Sequence, residues 1–359
     1  MGAFRRRRLE GLRRPPLGGD FSGRDALRKV KWGVLGVAKI AVEMVIPAMQ
    51  QGEASEIIGL ASRNLGTART AADKLGIARA FGSYEDLLAD AEIEAIYNPL
   101  PNELHVPWTL RALAAGKHVL CEKPIALDAE EARLLIDARD RSGKLVAEAF
   151  MVRYHPQWRR AKELAQAGTV GEPRAIQTFF SYRLLDPANV RNRPPGGGGL
   201  YDIGCYAILT ARYIFSAEPT RVAATIDWDP KFKTDRLAGA LLEFPGGRCV
   251  TFTVATQLSA HQRVTIVGDQ GRIEVMIPFN APPDRPTEIT VDTGADLFGG
   301  GRRVETFPVC DQYTLQGDAF SRAILNGTPL EFGIEDAIAN MRVIDALFRS
   351  AKRGSWEKP

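Results

Sequence analysis

Metal-binding and disulfide-forming side chains are scarce in this sequence. Its 359 residues include only four cysteines and four histidines. The cysteines are far apart and form no CxxC pair; they are Cys121, Cys205, Cys249 and Cys310. Structural zinc sites and disulfide scaffolds bring such residues together at short spacings. We therefore expect no metal and no disulfide framework, and free thiols of this kind fit a reducing, cytoplasmic location.

Long hydrophobic runs are also missing, although a helix needs about 20 consecutive apolar residues to cross a bilayer. Hydrophobic residues make up 45% of the chain and charged residues 25%, which is ordinary for a globular protein. At 359 residues the chain exceeds the size at which one core usually keeps growing. The composition predicts two domains and no membrane partner.

The net charge of +4 is concentrated at one end of the chain. Residues 1–30 hold nine Lys and Arg against three acidic residues, so the remainder is near −2. An arginine-rich start can indicate nucleic-acid binding, targeting or twin-arginine export. A signal peptide would have an apolar stretch after these arginines, but this chain has prolines and glycines there. We interpret residues 1–29 as a flexible basic tail and expect no nucleic-acid partner.

Between Val30 and Phe150, short apolar runs alternate with helical stretches. Such alternation is typical of a parallel sheet covered by helices on both faces. The predicted strands are Val30–Gly36, Glu56–Ser62, Glu94–Leu100, His118–Pro124 and Leu145–Phe150. A helix is predicted to begin after Asp128 and to end at Gly143. Residues 30–151 are thus expected to form an α/β Rossmann domain that binds NAD(P).

Strand and hairpin patterns dominate residues 152–359. Two hairpins are predicted, one at Pro245-Gly246-Gly247 and one at Gly268-Asp269-Gln270-Gly271. Helices are predicted near residues 157–167, from Tyr201, near 314–325 and near 334–351. This region is expected to be an α+β domain with a large, mostly antiparallel open sheet that binds substrate. An open sheet face must meet solvent or another chain, so we expect a homodimer or homotetramer through that sheet.

A variant of the dinucleotide-binding fingerprint follows the first predicted strand. Gly36 permits a tight turn, Ala38 lets the backbone approach a pyrophosphate, and the following helix N-terminus attracts phosphate. The residues expected at the cofactor here are Gly36, Val37, Ala38, Lys39 and Ile40. NAD-dependent enzymes usually place an acid after the second strand, where this chain has Ser62 and Arg63. A hydroxyl and a guanidinium suit a 2′-phosphate, so NADP(H) is the predicted cofactor, with NAD(H) as the alternative.

A lysine stands where a later strand ends, in Cys121-Glu122-Lys123-Pro124. The carboxyl ends of parallel strands form the ligand crevice of doubly wound sheets, so Lys123 is expected to face the nicotinamide. Arg153 follows the last predicted strand of the first domain and is expected to line the substrate side of the cleft.

Four motifs in order resemble the Gfo/Idh/MocA oxidoreductase family. They are the Gly36 fingerprint, the loop Asn98–His105, the Glu122-Lys123-Pro124 tripeptide, and the glycines 196–199 followed by Leu200–Tyr206. Tyr206 stands where many members have histidine. With tyrosine at this position, the chain resembles the branch of the family that includes glucose-fructose oxidoreductase, dihydrodiol dehydrogenase and NADP-dependent D-xylose dehydrogenase.

The resemblance implies roles for particular residues. It implies that Lys123 is the catalytic lysine and that Glu122 is its cofactor-contacting neighbour. It also implies cofactor contacts for Leu100, Pro101, Asn102, His105, Arg191 and Tyr313. The implied activity is hydride transfer between NADP(H) and a sugar, polyol or related alcohol.

Asp202 and Tyr206 are four residues apart, which places both side chains on one face of a helix. Both are expected to act on one substrate, together with Lys123. A nearby ammonium favours a phenolate, so Lys123 is expected to lower the pKa of Tyr206. Either Tyr206 or Lys123 would then carry the proton while Asp202 orients substrate hydroxyls.

Several activities remain open on sequence grounds. The leading hypothesis is an aldose 1-dehydrogenase or a keto- or anhydrosugar reductase acting on a CH–OH group. The alternatives are a redox-neutral, NAD-dependent glycosidase of the same fold, a dihydrodiol dehydrogenase, and a non-catalytic nucleotide sensor.

Overall fold

The computed structural model describes residues 28–359. Most of the predicted basic tail, residues 1–29, therefore lies outside the described residues. Its last two positions contact the first domain: Arg28 pairs with Glu94, and Lys29 donates a hydrogen bond to the Gly52 carbonyl at 2.8 Å. The first regular element of the described residues is a strand that begins at Val30.

The first sheet has six parallel strands in the order β3-β2-β1-β4-β5-β6. The strands are β1 (Val30–Leu35), β2 (Ser55–Ala61), β3 (Arg79–Phe81), β4 (Ala95–Asn98), β5 (His118–Cys121) and β6 (Val146–Glu148). Each of the five predicted runs overlaps one of them. The strand β3 was not predicted, because it has three half-buried residues at the sheet edge and shows no apolar run.

Nine α-helices lie within the described residues. They are α1 (Ile46–Gln50), α2 (Leu65–Leu75), α3 (Tyr84–Ala89), α4 (His105–Ala114), α5 (Ala129–Ser142), α6 (Pro156–Gln166), α7 (Cys205–Phe215), α8 (Gln312–Asn326) and α9 (Ile334–Arg353). The ends of α5 are as predicted: Asp128 accepts a hydrogen bond from the Glu131 amide at 2.7 Å, and Gly143 is left-handed.

The second sheet has eight strands in the order β14-β13-β12-β11-β7-β10-β9-β8. The strands are β7 (Pro173–Arg183), β8 (Arg221–Trp228), β9 (Asp235–Phe244), β10 (Arg248–Ala255), β11 (Gln257–Gly268), β12 (Arg272–Val275), β13 (Thr287–Asp292) and β14 (Arg302–Phe307). Both predicted hairpins are present, between β9 and β10 and between β11 and β12. Only the central pair β7–β10 is parallel, so the predicted fold class is confirmed.

The two faces of this sheet differ in burial. Along β7, Ile176, Thr178 and Phe180 are buried, whereas Gln177 between them is exposed. Thr251 on β10 and Leu241 on β9 are exposed as well. Within residues 28–359 the second face thus stays uncovered, as expected for an open sheet.

The last two helices connect the two sheets. On α8, Ser321 accepts a hydrogen bond from the Trp32 indole at 3.0 Å, and the Phe320 ring packs on Trp32. Asp318 accepts hydrogen bonds from the amides of Glu53 and Ala54 at 3.0 and 2.9 Å. The helix α9 packs between α5 and β8. Helices that follow the second sheet in sequence therefore pack against the first domain.

Candidate active site

The turn after β1 is shaped by Gly36, whose φ of 86° favours glycine. A Cβ at this position would lie 3.0 Å from a methyl group of Leu100. The Gly36 amide donates to the Ala61 carbonyl at 2.8 Å, and a helix begins at Lys39. The absent side chain leaves the backbone open beside a helix N-terminus, which fits the pyrophosphate of a dinucleotide.

A cavity of about 1220 Å³ extends from this turn into the second domain. Most of the predicted site residues line it. These are Gly36, Val37, Ala38, Lys39, Ile40, Leu100, Pro101, Asn102, His105, Glu122, Lys123, Arg191, Asp202, Tyr206 and Tyr313. The fold thus gathers residues that are up to 277 positions apart in sequence around one space.

Ser62 and Arg63 do not line this cavity, although they lie next to its cofactor side. They follow β2, which pairs with β1 up to Leu35 opposite Ala61. Ser62 is half-buried and Arg63 is exposed. Both side chains can therefore be reached by a ligand that extends past the Gly36 turn.

Arg153 also lies outside the cavity, contrary to its predicted substrate contact. It is 5% exposed and forms an ion pair with Asp336. Its guanidinium lies 4.1 Å from the centre of the Phe332 ring. The Arg153 side chain is buried because the Asp336 carboxylate and the face of the Phe332 ring, both in the second domain, stabilise its charge.

Lys123 lies directly after β5, and its ammonium is held by Asp202. It donates hydrogen bonds to the Asp202 carbonyl at 2.7 Å and to the Asp202 carboxylate at 3.1 Å. Burial alone would lower the pKa of Lys123, but Asp202, Cys205 and Glu122 together raise it. The ammonium is therefore fully protonated at neutral pH and has one further N–H to offer.

Asp202 is the centre of a polar network. Besides Lys123, its carboxylate accepts from the Arg191 guanidinium at 3.0 Å and from the Tyr182 hydroxyl. Burial favours the neutral acid, yet Lys123 and Arg191 together keep the pKa of Asp202 well below its usual range. Asp202 is thus a fixed anion that orients two cations.

Sequence reasoning missed Tyr182, which ends a strand without belonging to a recognisable motif. Its place near the end of β7 brings it to the cavity. The second-domain wall of the cavity also includes His261, Gln262 and Asn280. These residues come from β11 and a later loop, and only the sheet topology brings them to the cavity.

Tyr206 is nearly buried among aromatic rings. Phe150, Phe180 and Phe279 pack against it with ring centres 5.2, 6.1 and 5.3 Å away. Its hydroxyl donates to the sulfur of Met151 at 3.5 Å. Burial raises the pKa of Tyr206 well above the usual value, and neighbouring acidic groups add to this. The prediction of a lowered pKa was wrong, because the hydroxyl lies in an apolar environment.

Glu122 and Tyr313 line the same cavity as Lys123. The Glu122 carboxylate accepts a hydrogen bond from the buried Tyr97 hydroxyl at 2.7 Å. Burial raises the pKa of Glu122, against the opposing effect of Lys123. Burial likewise raises the pKa of Tyr313, which lies in the first turn of α8.

His105 and Asn102 line the cavity and form hydrogen bonds with neighbouring loops. The two ring nitrogens of His105 lie 2.7 Å from the carbonyls of Pro124 and Leu100. Burial lowers the pKa of His105 to about 4, so the ring is neutral at neutral pH. Asn102 donates to the Gly196 carbonyl at 2.7 Å. These contacts connect the loop Asn98–His105 with the Lys123-Pro124 turn and with the Gly-rich loop, residues 196–199.

Residues 28–359 contain no cluster of three or more His, Cys, Asp or Glu side chains arranged to hold a metal ion. None of the helices in this range combines the length and the hydropathy that a bilayer crossing requires.

The sequence and fold match known proteins over most of the chain. Residues 30–150 match the oxidoreductase family with an NAD-binding Rossmann fold, and residues 158–274 match the GFO/IDH/MocA C-terminal domain. An uncharacterized oxidoreductase of Rhizobium meliloti is 49% identical over 91% of this chain and 98% of its own length. The D-xylose 1-dehydrogenase (NADP(+)) 2 of Haloferax volcanii is 38% identical over 90% of this chain and 98% of its own.

A solved structure shows the same architecture. The aldose-aldose oxidoreductase of Caulobacter crescentus, complexed with glycerol, matches with a TM-score of 0.85 at 27% identity. The match covers 92% of this chain and 100% of that one. Since both family regions are present in order on this fold, the protein belongs to the Gfo/Idh/MocA family of oxidoreductases.

Proposed function

We propose that this protein transfers a hydride between NADP(H) and a hydroxyl- or carbonyl-bearing carbon of a sugar, as an aldose 1-dehydrogenase or a ketosugar reductase. The observation that carries this proposal is the position of Lys123. Its ammonium lies in the cavity that starts at the Gly36 turn, and Asp202 holds it at 2.7 and 3.1 Å. A fixed cation beside a dinucleotide site suits a reaction in which negative charge grows on an oxygen.

The proposed cofactor preference rests on the residues after β2. Ser62 and Arg63 stand where an acidic residue would hold the ribose hydroxyls of NAD. A guanidinium forms charge-assisted hydrogen bonds to a phosphate, so Arg63 favours the 2′-phosphate of NADP. The xylose dehydrogenase of Haloferax volcanii, which is named for NADP(+), supports the same choice.

A nicotinamide held in the cavity between the Gly36 turn and Lys123 would accept or donate the hydride. The third N–H of Lys123 binds the reacting oxygen of the substrate and stabilises the charge on it. In reduction, Tyr206 gives its phenolic proton to that oxygen, and in oxidation its phenolate takes the proton back. Arg191 and Tyr182 keep Asp202, and hence Lys123, in position.

The choice of a sugar rests on the polar wall of the cavity. Tyr182, His261, Gln262 and Asn280 present hydroxyl, imidazole and amide groups to the same space as Lys123. Such groups bind several hydroxyls of one substrate. The names of the relatives, a D-xylose dehydrogenase and an aldose-aldose oxidoreductase, point to the same substrate class.

The test is a screen of aldoses, ketosugars, anhydrosugars and cyclic diols with NADP(H) and NAD(H) in both directions. The absorbance of reduced nicotinamide reports turnover. We expect cofactor turnover with at least one aldose or ketosugar and a higher kcat/KM with NADP(H). Release of sugar from glycosides without net cofactor change would replace this proposal with a redox-neutral glycosidase. Turnover of cyclic diols alone would make the protein a dihydrodiol dehydrogenase.

We also propose that residues 30–151 bind the cofactor, and that residues 152–359 bind substrate and form the interface of a homodimer or homotetramer. The exposed face of the second sheet, which carries Gln177, Leu241 and Thr251, supports an interface. Light scattering at micromolar protein concentration measures the molar mass, and a monomer would contradict the oligomer.

A further inference from the structure

Asp235 is a buried acid behind the Gly-rich loop, and no step of the proposed reaction uses it. It begins β9 and is 1% exposed. One carboxylate oxygen accepts a hydrogen bond from the Leu200 amide at 2.6 Å. The other oxygen has no hydrogen-bond partner among the described residues. Burying a carboxylate with an unpaired oxygen costs folding free energy, so we expect Asp235 to have a function that offsets this cost.

The glycine opposite Asp235 makes room for the carboxylate. Gly198 has a φ of 115°, and a Cβ there would lie 1.8 Å from the unpaired oxygen of Asp235. A Cβ on Gly199 would lie 3.3 Å from the other oxygen. The Gly-rich loop therefore closes directly over the Asp235 side chain.

The segment that Asp235 holds is the one that carries the chemistry. Leu200 opens the π-helical turn Leu200–Gly204, which continues into α7. The Asp202 amide donates to the Gly198 carbonyl at 3.0 Å. Asp202 in turn holds Lys123. Asp235 is thus connected to the lysine through two hydrogen bonds and the backbone between Leu200 and Asp202, and it does not line the cavity.

The same loop also positions Arg191. The Gly198 amide donates to the Arg191 carbonyl at 2.9 Å, and the Gly197 amide donates to the Arg193 carbonyl at 3.1 Å. A movement of glycines 197–199 would therefore shift Arg191 and Asp202 together. Such a movement would leave the Gly36 turn, which is on the other domain, in place.

We propose that Asp235 is a positioning residue, which locks the Gly-rich loop and the start of the Leu200–Phe215 helix so that Asp202 presents the Lys123 ammonium to substrate. The proposal rests on the proposed function, since it assigns Asp235 to the same site. It predicts that loss of the carboxylate lowers kcat much more than it weakens cofactor binding, because the Gly36 turn stays in place even though Arg191 moves with the loop. A purely structural role would reduce cofactor binding, kcat and stability together.

The first test compares Asp235→Ala with Asp235→Asn. An amide oxygen can accept the Leu200 hydrogen bond without a charge, so Asn should restore most of kcat. Ala should lower kcat by on the order of ten- to a hundredfold, the loss expected when reacting groups are misplaced by about 1 Å. The NADPH dissociation constant, measured by fluorescence, should rise much less than kcat falls. The exposed Asp227→Ala, at the end of β8, is the matched control and should retain wild-type activity.

The second test uses the steric relation between Gly198 and Asp235. Gly198→Ala pushes a methyl group against the carboxylate and should lower kcat as Asp235→Ala does. Once Asp235 is Ala, adding Gly198→Ala should cost less than it does in the wild-type protein, because the clash with the oxygen is gone and only the backbone strain of alanine at a φ of 115° remains. Strictly additive effects of the two substitutions on kcat would contradict the proposed lock.

Hydrogen exchange separates this proposal from the proposed function, because it needs no substrate. In Asp235→Ala, amides within residues 198–206 should exchange faster, while those of β1 and β4 keep their protection. If the wild-type protein turned over no sugar, this result would still support the positioning role. Unchanged exchange, or unchanged kcat in an active protein, would overturn it.

Discussion

The ammonium of Lys123 lies 4.9 Å from the centre of the Tyr206 ring and over its face. A cation over an aromatic face is attracted by the ring, but it does not stabilise a phenolate as a cation beside the hydroxyl would. Tyr206 thus remains a neutral phenol while Lys123 remains an ammonium. This arrangement is the reason for separating the two roles in the proposed mechanism, in which Lys123 stabilises charge and Tyr206 exchanges a proton.

Tyr206→Phe should lower kcat by about 10²–10⁴-fold, the usual contribution of a positioned acid or base. Stability should change little, because the hydroxyl is bonded only to the Met151 sulfur at 3.5 Å. Steady-state kinetics and the melting temperature measure the two effects. Tyr213→Phe, on the same helix, is the control. A Tyr206→Phe enzyme with wild-type kcat would assign the proton to Lys123 instead.

Lys123→Met should lower kcat by about 10²–10³-fold or more, since it removes the donor that stabilises the developing charge. Cofactor affinity should be nearly unchanged, because the ammonium is bonded to Asp202 and not to the Gly36 turn. Single-turnover kinetics and NADPH fluorescence test these two expectations. The exposed Lys74→Met serves as the control, and unchanged turnover in Lys123→Met would remove this lysine from the mechanism.

The oxidation of substrate should become faster as the pH rises into the alkaline range. Burial raises the pKa of Tyr206, so at neutral pH it holds its proton and cannot act as a base. The pKa of Lys123 is also raised by Asp202, despite its burial, so its charge persists over the same range. Reduction needs the protonated phenol and should be nearly independent of pH around neutrality. Rate profiles in both directions test this, and an acidic optimum for oxidation would contradict it.

Arg63→Ala should weaken NADP binding more than NAD binding. Hydrogen bonds to a charged group contribute about 1.5–3 kcal/mol, so the affinity for NADP should fall by roughly ten- to a hundredfold. NAD lacks the 2′-phosphate, and its affinity should stay nearly constant. Titration calorimetry with both cofactors gives the ratio, with the exposed Arg69→Ala on α2 as the control. Equal losses for NADP and NAD would mean that Arg63 does not contact the phosphate.

Local patterns predicted much of the fold. Five of the six strands of the first sheet, both hairpins, and the ends of α5 at Asp128 and Gly143 follow from the sequence. These features depend on periodicity, capping and turn residues, which act within a few positions. The strand β3 was not predicted because its three residues show no hydrophobic pattern of their own. They are extended because they pair with β2.

The candidate site was only partly predictable. Motifs located Gly36, Lys123 and Asp202, because turn geometry and strand ends restrict which residues can stand there. Tyr182 reaches Asp202 only because β7 lies at the centre of the second sheet. Arg153 was misplaced for a similar reason, since its buried partner Asp336 is 183 residues away.

The sequence by itself determined the turn at Gly36, the place of Lys123 at the end of β5, and the spacing that puts Asp202 and Tyr206 on one helix face. These are short-range consequences of backbone conformation and helix periodicity. Only the tertiary structure decided that Lys123 meets the face of Tyr206 and not its hydroxyl. The physical reason is that the rings of Phe150, Phe180 and Phe279, from three distant segments, enclose the phenol. Burial of the Tyr206 hydroxyl among them raises its pKa, which the sequence had predicted to fall.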